Sequence, residues 1–328
     1  MEKISKINTV TGPIFPHEMG ITLVHEHVIF GYGGWYANYS ITPFDREMCI
    51  NTALDTIKEL KTYGVKTVVD VTPGDCGRDP ELLKEISEKS EMNIICSTGL
   101  YTEGDGGSGY FKFRKMVTGD ATDEIYELFA KEIKQGIGTT GIKPGVIKVA
   151  TGDGNISPYE EMVLRAAGRA QKETEVPIIT HTGGDATMGI EQADLLISEG
   201  ADPKRISIGH MNGSSNIQYH LAIVGKGVYI VFDRFGTQAL HRYMMGLEAF
   251  GFSDELSKAC VIGLISIGYE KRIMISHDYV WYFLGKTPIN MNPSHIFKNI
   301  IPALKQAGVA DEMISTIMVD NPRRLFTG

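Results

Sequence analysis

Short apolar runs alternate along the chain with longer amphipathic segments. The run ITLVHEH at 21–27 is followed by a loop rich in glycine and aromatic residues, and then by a helical pattern over 46–63 that ends at Gly64. Successive apolar or β-branched residues are typical of strands that are buried on both faces, as in a parallel sheet. The pattern therefore predicts an α/β fold in which strands and helices alternate.

Eight such runs occur, and helical stretches separate them. They are ITLVHEH, KTVVDV, NIICST, GVIKVAT, VPIITHT, RISIGH, GVYIVFD and RIMISHD. Eight strands that alternate with helices are the number found in a (β/α)8 TIM barrel. No linker, charge block or low-complexity segment divides the chain, so we expect a single domain over residues 1–328.

Composition and charge narrow the class of partner. The chain has 328 residues, of which 42% are hydrophobic, and this is enough for the large core of one barrel. A formal net charge of −8 argues against nucleic acid or an anionic membrane as a partner. The polar start is unlike a signal peptide, and the four cysteines are scattered without a paired motif. We expect a cytoplasmic protein with reduced thiols.

Histidines occur where the predicted strands end, beginning with His25 and His27 in the first strand. Side chains two apart on a strand share a face, so these imidazoles point the same way and Glu26 points away. Neutral imidazole is a good ligand for zinc, nickel, cobalt or iron. Alone, however, the pair is more often structural than metal-binding, because a metal site needs further ligands.

Other strands supply polar residues at their carboxyl ends, where the active site of such a barrel lies. These residues are Lys148, His181, His210 and Asp278. The lysine is unusual because lysine is rarely buried without a partner, whereas either histidine alone would more often be structural. His277 and Asp278 face opposite ways on a strand, and the carboxylate is better suited to bridging metal ions. Together the set favours two metal ions that share a water molecule.

These motifs together resemble the phosphotriesterase family of the amidohydrolase superfamily, and within it most of all the phosphotriesterase-like lactonases. The resemblance rests on HEH in the first strand, VIKVAT in the fourth, THT and GH in the next two, SHDY in the eighth and the C-terminal DNPRRLF. It covers nearly the whole chain.

The resemblance implies a binuclear centre of divalent metal ions, zinc in the first place, with cobalt, iron, manganese or nickel as alternatives. It implies that His25, His27 and Asp278 bind the more buried ion, and that His181 and His210 bind the more exposed one. Two such cations lower the pKa of a bridging water, which gives hydroxide near neutral pH, and Asp278 would accept its proton.

Lys148 resembles the lysine that reacts with CO2 in this family. The product is a carbamate whose two oxygens bridge the metal ions, and this gives a physical reason for a lysine in the buried run GVIKVA.

Tyr101 and Arg234 match two pocket residues of the lactonase-like branch. The resemblance implies that Tyr101 lies beside the bridging hydroxide and that Arg234 lies near the pocket mouth. Judged without the resemblance, Tyr101 would be a half-buried packing residue, and Arg234 would form a surface pair with Asp233. The segment after the eighth strand is shorter than in the lactonases, and Trp281 falls earlier, which leaves the acyl-chain preference open.

The function predicted is hydrolysis of a small-molecule carboxylic ester, a lactone in the first place, with promiscuous hydrolysis of organophosphate triesters. One alternative is a dedicated phosphotriesterase, or another ester or amide hydrolase of the same family. A second alternative is a barrel that binds a metal or ligand without catalysis. A homodimer is expected by analogy with the family. Met244 with Met245 suggests an adaptable apolar lid, although core filling is the commoner use of methionine.

Overall fold

A curled sheet of parallel strands forms the centre of the fold in the computed structural model, which describes residues 6–38, 40–183, 187–237, 253–285 and 292–328. An antiparallel hairpin of β1 (Ile7–Thr9) and β2 (Gly12–Ile14) precedes the sheet. The parallel strands are β3 (Ile21–Phe30), β4 (Val65–Asp70), β5 (Asn93–Gly99), β6 (Val146–Ala150), β7 (Ile178–His181), β8 (Ile206–Ile208), β9 (Tyr229–Phe232), β10 (Ile273–Ile275) and β11 (Val280–Phe283). From β3 to β10, each strand pairs with the next one along the chain.

The eighth predicted strand is present as two pieces, β10 and β11, which close the sheet. β10 pairs with β9, whereas β11 pairs with β3. Between the two pieces, the N–H of Asp278 donates to the carbonyl oxygen of His25 at 2.9 Å, and the N–H of His27 donates to that of Tyr279 at 2.8 Å. The last strand position is therefore joined to the first, and the predicted (β/α)8 barrel is confirmed.

Helices fill the connections between the strands. They are α1 (Arg46–Thr62), α2 (Pro80–Ser90), α3 (Gly109–Thr118), α4 (Thr122–Gln135), α5 (Pro158–Thr174), α6 (Gly189–Ser198), α7 (Ile217–Val224), α8 (Asp254–Ser266), α9 (Ile301–Gln306), α10 (Asp311–Ser315) and α11 (Asn321–Thr327). α1, α2 and α5 begin where Asp45, Asp79 and Ser157 accept hydrogen bonds from N–H groups of the first turn.

An apolar layer inside the barrel supports the polar strand ends. Val69, Ile95, Val146, Ile179, Val231 and Met274 are fully buried and belong to one cluster. Because residues two apart on a strand share a face, Val146 places Lys148 inside the barrel, and Ile179 does the same for His181. The neighbours with the opposite orientation, such as Ile147 and Ile178, pack in the larger core. Along the inward face of each strand, the apolar side chains thus lie inside the barrel, and the polar side chains follow at the carboxyl end.

Among the described residues, no helix is both long and apolar enough to cross a membrane. The four cysteines are free and buried, as expected for reduced thiols.

Candidate metal centre

Six polar side chains meet at the carboxyl ends of the barrel strands. They are His25 and His27 on β3, Lys148 on β6, His181 at the end of β7, His210 after β8, and Asp278 between β10 and β11. Four of the six are buried, and the other two, His181 and Asp278, are half-buried. The structure therefore brings together all of the residues that the sequence analysis selects as metal ligands.

The first group lies around Asp278. Its Oδ1 atom is 3.5 Å from Nε2 of His25 and 3.2 Å from Nε2 of His27. These three residues each offer a ligand atom, and the atoms lie within 4.8 Å of one another. Nζ of Lys148 lies 2.6 Å from Nε2 of His25. Two imidazole nitrogens and a carboxylate oxygen at this spacing can hold a divalent metal ion.

The second group consists of two imidazoles that face each other. Nδ1 of His181 lies 2.7 Å from Nε2 of His210. At this distance the two nitrogens can share a proton or be drawn together by a common ion. The hydroxyl oxygen of Tyr101 lies 3.2 Å from the same nitrogen of His181. His181 and His210 can therefore hold a second ion beside the first group.

Burial keeps the imidazoles in the form that metal ions require. It lowers the pKa of His25 and His181 below the usual value, and that of His210 to about 3. A neutral imidazole has a nitrogen lone pair to give to a metal ion, whereas an imidazolium has none. The chemistry of the donor set therefore fits divalent metal ions.

Asp233, which follows β9, is the residue that the sequence analysis does not select. Its Oδ1 lies 2.8 Å from Nδ1 of His210, and its Oδ2 lies 2.7 Å from Nδ1 of His25. A carboxylate that holds Nδ1 turns Nε2 of each imidazole toward the centre. The alternative of a surface pair with Arg234 is wrong, because both residues are buried. The available signal was that GVYIVFD is a strand that ends in a carboxylate without an assigned role.

His27 is oriented by a hydroxyl group instead of a carboxylate. Its Nδ1 lies 2.8 Å from Oγ1 of Thr72, and that hydroxyl donates to the carbonyl oxygen of Ile29 at 2.8 Å. Since the hydroxyl hydrogen is used there, Thr72 accepts a hydrogen bond from Nδ1 of His27. Nε2 of His27 is then left with its lone pair toward Asp278.

Two of the six polar residues at the strand ends have left-handed backbone conformations. His210 has a φ of 62° and Asp278 a φ of 56°. Non-glycine residues rarely adopt this conformation, and where they do the surroundings must hold them. The N–H of His210 donates to Oδ1 of Asp233 at 2.9 Å, so Asp233 holds both the backbone and the ring. Strain of this kind is concentrated at functional sites.

Tyr101 and Arg234 are buried and contact residues of the same site. Tyr101 is buried, and its ring packs edge-on against Phe30 at a centroid distance of 5.8 Å. Nε of Arg234 donates to Oδ2 of Asp278 at 3.4 Å. Trp281, in contrast, belongs to the buried core. Residues 286–291 of the segment after β11 lie outside the described residues, as do Met244 and Met245 of the suggested lid.

The family model described as the phosphotriesterase family matches residues 5–326. The chain belongs to the phosphotriesterase family. A phosphotriesterase homology protein of Mycobacterium tuberculosis, strain CDC 1551 / Oshkosh, is 34% identical over 98% of this chain and 97% of its own length. A phospho-furanose lactonase of Mycoplasmopsis agalactiae is 30% identical over 99% of this chain and 92% of its own length.

A solved structure extends the comparison to the fold. The organophosphorus hydrolase from Deinococcus radiodurans superposes with a TM-score of 0.92 and is 42% identical, over 99% of this chain and 98% of that chain. These relatives are named as hydrolases, so the phosphotriesterase-family chain described here is a hydrolase with residue clusters that can hold metal ions.

His220 lies outside the metal-facing set and allows a separate prediction. It is buried on α7, its Nε2 lies 3.2 Å from the carbonyl oxygen of Met211, and burial lowers its pKa to about 4. Because an unfolded histidine titrates near 6.5, the unfolded chain binds more protons between those values. The free energy of unfolding should fall by up to about 3 kcal/mol as the pH decreases through this window.

Urea unfolding of the metal-free protein at several pH values tests this coupling. His220→Gln should remove up to about 1.4 kcal/mol per pH unit from the slope between pH 6.5 and 4. The exposed His17 supplies a control for the loss of a histidine, and the slope of His17→Gln is measured beside that of the His220 variant. Equal slopes for wild type and the His220 variant would refute the prediction.

Proposed function

We propose that the chain is a binuclear metal-dependent hydrolase that opens lactones, with weaker hydrolysis of organophosphate triesters. The observation that carries the proposal is that Asp278 lies beside histidines of both ligand groups, while buried Lys148 contacts His25 of the first group. The lactonase and organophosphorus hydrolase relatives support both bond types for this chain. Nucleic acid and membranes are not among the proposed partners.

The proposal assigns the ligands by their grouping. His25, His27 and Asp278 would hold one ion, and His181 and His210 would hold the other. Zinc is the first choice, and cobalt, iron, manganese or nickel suit the same donors. When bound, the ions supply a strongly activated water and polarise the carbonyl oxygen of the substrate.

Lys148 is proposed to bridge the two ions as a carbamate. Its neutral amine would attack the carbon of CO2, so that an N–C bond forms as one C=O π bond opens onto oxygen. The amine proton would pass to water, which leaves an anionic group with two oxygens. Burial lowers the pKa of Lys148 to about 8, which increases the fraction of the neutral amine at physiological pH. The resulting anion would be neutralised by the cations it binds.

Three residues of this chain would handle the proton and the substrate. Asp278 is proposed to accept the proton of the attacking water, because its carboxylate belongs to the first ligand group and its Oδ2 lies 3.8 Å from Nδ1 of His210 in the second. The Tyr101 hydroxyl, beside His181, would donate a hydrogen bond to the substrate. Arg234, beside Asp278, would stabilise the carboxylate product by its charge.

A homodimer is proposed by analogy with the family. An exposed apolar face on α3 supports it, since Tyr110, Phe113, Met116 and Val117 are each more than half exposed. Apolar faces of this kind on soluble proteins mark contacts with other molecules. In the loop after β3, Tyr36 is exposed, whereas Trp35 packs against the core.

Steady-state rates of the metal-replete protein test the proposed reaction. We expect kcat/KM for a γ- or δ-lactone to exceed that for a paraoxon-like triester by at least ~100-fold, a difference of about 2.7 kcal/mol in activation free energy. A preference for the triester would favour a dedicated phosphotriesterase. Absence of turnover on lactones, esters, amides and triesters would favour a barrel that binds a ligand without catalysis.

A further inference from the structure

Glu26 lies in sequence between two of the proposed ligands, yet its carboxylate is on the opposite side of β3. It is 1% exposed, and among the described residues no lysine or arginine forms an ion pair with it. A buried carboxylate is costly unless it is paired or satisfied by hydrogen bonds. The hydrogen bonds that satisfy the Glu26 carboxylate therefore show which part of the structure it stabilises.

Among the described residues, every hydrogen bond to the Glu26 carboxylate comes from the short segment 276–279. Oε1 accepts from the hydroxyl of Ser276 at 2.8 Å and from the N–H of His277 at 2.9 Å. Oε2 accepts from the N–H of Tyr279 at 3.3 Å. Nδ1 of His277 also lies 3.2 Å from Oε1. The two oxygens thus hold the backbone immediately before and immediately after Asp278.

This segment is the break between β10 and β11, where Asp278 adopts its left-handed conformation. The N–H of Asp278 donates to the carbonyl oxygen of His25, so β3 contacts the break through its backbone as well as through Glu26. A strained residue persists only where the surroundings over-determine it. With its flanking N–H groups released, residue 278 could relax, and its carboxylate would turn away from His27.

We infer that Glu26 is a positioning residue that holds Asp278 in the conformation facing the metal centre. The inference rests on the proposed function, because it assigns Asp278 to the metal ions. The His-Glu-His motif of β3 then serves the metal centre from both faces of the strand. His25 and His27 bind on one face, and Glu26 secures the third ligand of the same ion from the other face.

An amide cannot replace this carboxylate. Both oxygens of Glu26 accept hydrogen bonds, whereas glutamine has one oxygen and one NH2 donor. In Glu26→Gln the NH2 group would face either the N–H of Tyr279 or the N–H of His277. One buried backbone N–H would then lose its hydrogen-bond acceptor. The backbone would be held on only one side of Asp278, so the clamp formed by the two Glu26 oxygens would be broken.

Metal binding to the metal-free protein tests the inference without reference to turnover. Wild type and Glu26→Gln are titrated with Zn²⁺ in competition with a chromophoric chelator, and with Co²⁺ followed by its visible absorption spectrum. We expect the variant to bind one of two ions about 10- to 100-fold more weakly, the effect typical of groups that orient ligands. Its cobalt spectrum should change because the ligand geometry changes.

Glu160 provides a matched control. It is also a buried carboxylate that accepts backbone N–H groups, from Gly152 at 3.0 Å and Ser157 at 2.9 Å, and it holds no proposed ligand. Glu160→Gln should lower the free energy of unfolding but leave the zinc affinity and the cobalt spectrum as in wild type. A general effect of a buried glutamine would move both variants alike and overturn the inference.

The outcomes separate the inference from the proposed function. If the wild type binds no zinc or cobalt, the proposed metal centre fails. If the wild type binds two ions and Glu26→Gln binds both with equal affinity and an unchanged spectrum, the positioning role fails. Should Glu26→Gln not fold, Glu26→Asp keeps the carboxylate but shortens its reach, so it cannot hold both the N–H of His277 and the N–H of Tyr279. It should weaken one ion a few-fold, and unchanged affinity in that variant would equally overturn the inference.

Discussion

Lys148→Met is expected to lower kcat/KM on lactones by at least ~1000-fold, which corresponds to about 4 kcal/mol of activation free energy. The substitution removes the amine proposed to bridge the two ions, and methionine offers no anionic group in its place. Nζ of Lys148 lies 2.6 Å from His25 Nε2, within the ligand cluster. Metal analysis after dialysis should show fewer bound ions per chain.

The free energy of unfolding of Lys148→Met shows whether its loss of activity comes from the missing amine or from an unfolded protein. Burial lowers the pKa of Lys148 from 10.5 to about 8, so the buried ammonium destabilises the metal-free fold by about 3 kcal/mol at pH 7. The metal-free Lys148→Met protein should therefore be at least as stable as wild type in urea. Lys66, exposed on β4, supplies the control Lys66→Met, which should keep full activity. Full metal content and turnover in Lys148→Met would refute the bridging role.

Asp233→Asn is expected to weaken metal binding 10- to 100-fold and to lower kcat/KM about 100-fold. An asparagine has one oxygen in place of two, so its NH2 would face either Nδ1 of His210, now hydrogen-bonded to Asp233, or Nδ1 of His25, now 2.7 Å from Oδ2. Either His25 or His210 would then shift its proton to Nε2, where the ion should bind. Zinc competition and steady-state kinetics on the same samples measure both effects.

Asp254 gives a matched control for this variant. Its Oδ2 lies 2.6 Å from Nε2 of His295, an aspartate–histidine pair outside the ligand groups. Asp254→Asn should leave the zinc affinity at the wild-type value. If Asp233→Asn binds two ions as tightly as wild type, the carboxylate does not orient the histidines.

Much of the barrel and of its polar strand ends could be predicted from local pattern. The period of two places His25 and His27 on one face, and an apolar run that ends in Lys148 or His181 marks a strand and its end. Each of these patterns spans only a few residues, so it can be recognised in the sequence without knowledge of the fold. The family resemblance added the pairing of ligands, which no single strand contains.

The break in the last strand could not be predicted in the same way. RIMISHD looks like one continuous strand, yet Asp278 leaves the regular conformation and β11 continues beside β3. The break depends on barrel closure, because hydrogen bonds to β3 hold it. No pattern within the eighth strand alone contains that partner.

The sequence by itself determined which residues are strand ends, which face each side chain takes, and which side chains carry metal-binding chemistry. Only the tertiary structure decided that Asp233 holds two histidines from different strands, and that Glu26 clamps the backbone around Asp278. The clamp joins residues 251 positions apart. Face and period are local properties of the backbone, whereas the partner of a buried polar group depends on which strands the closed barrel brings side by side.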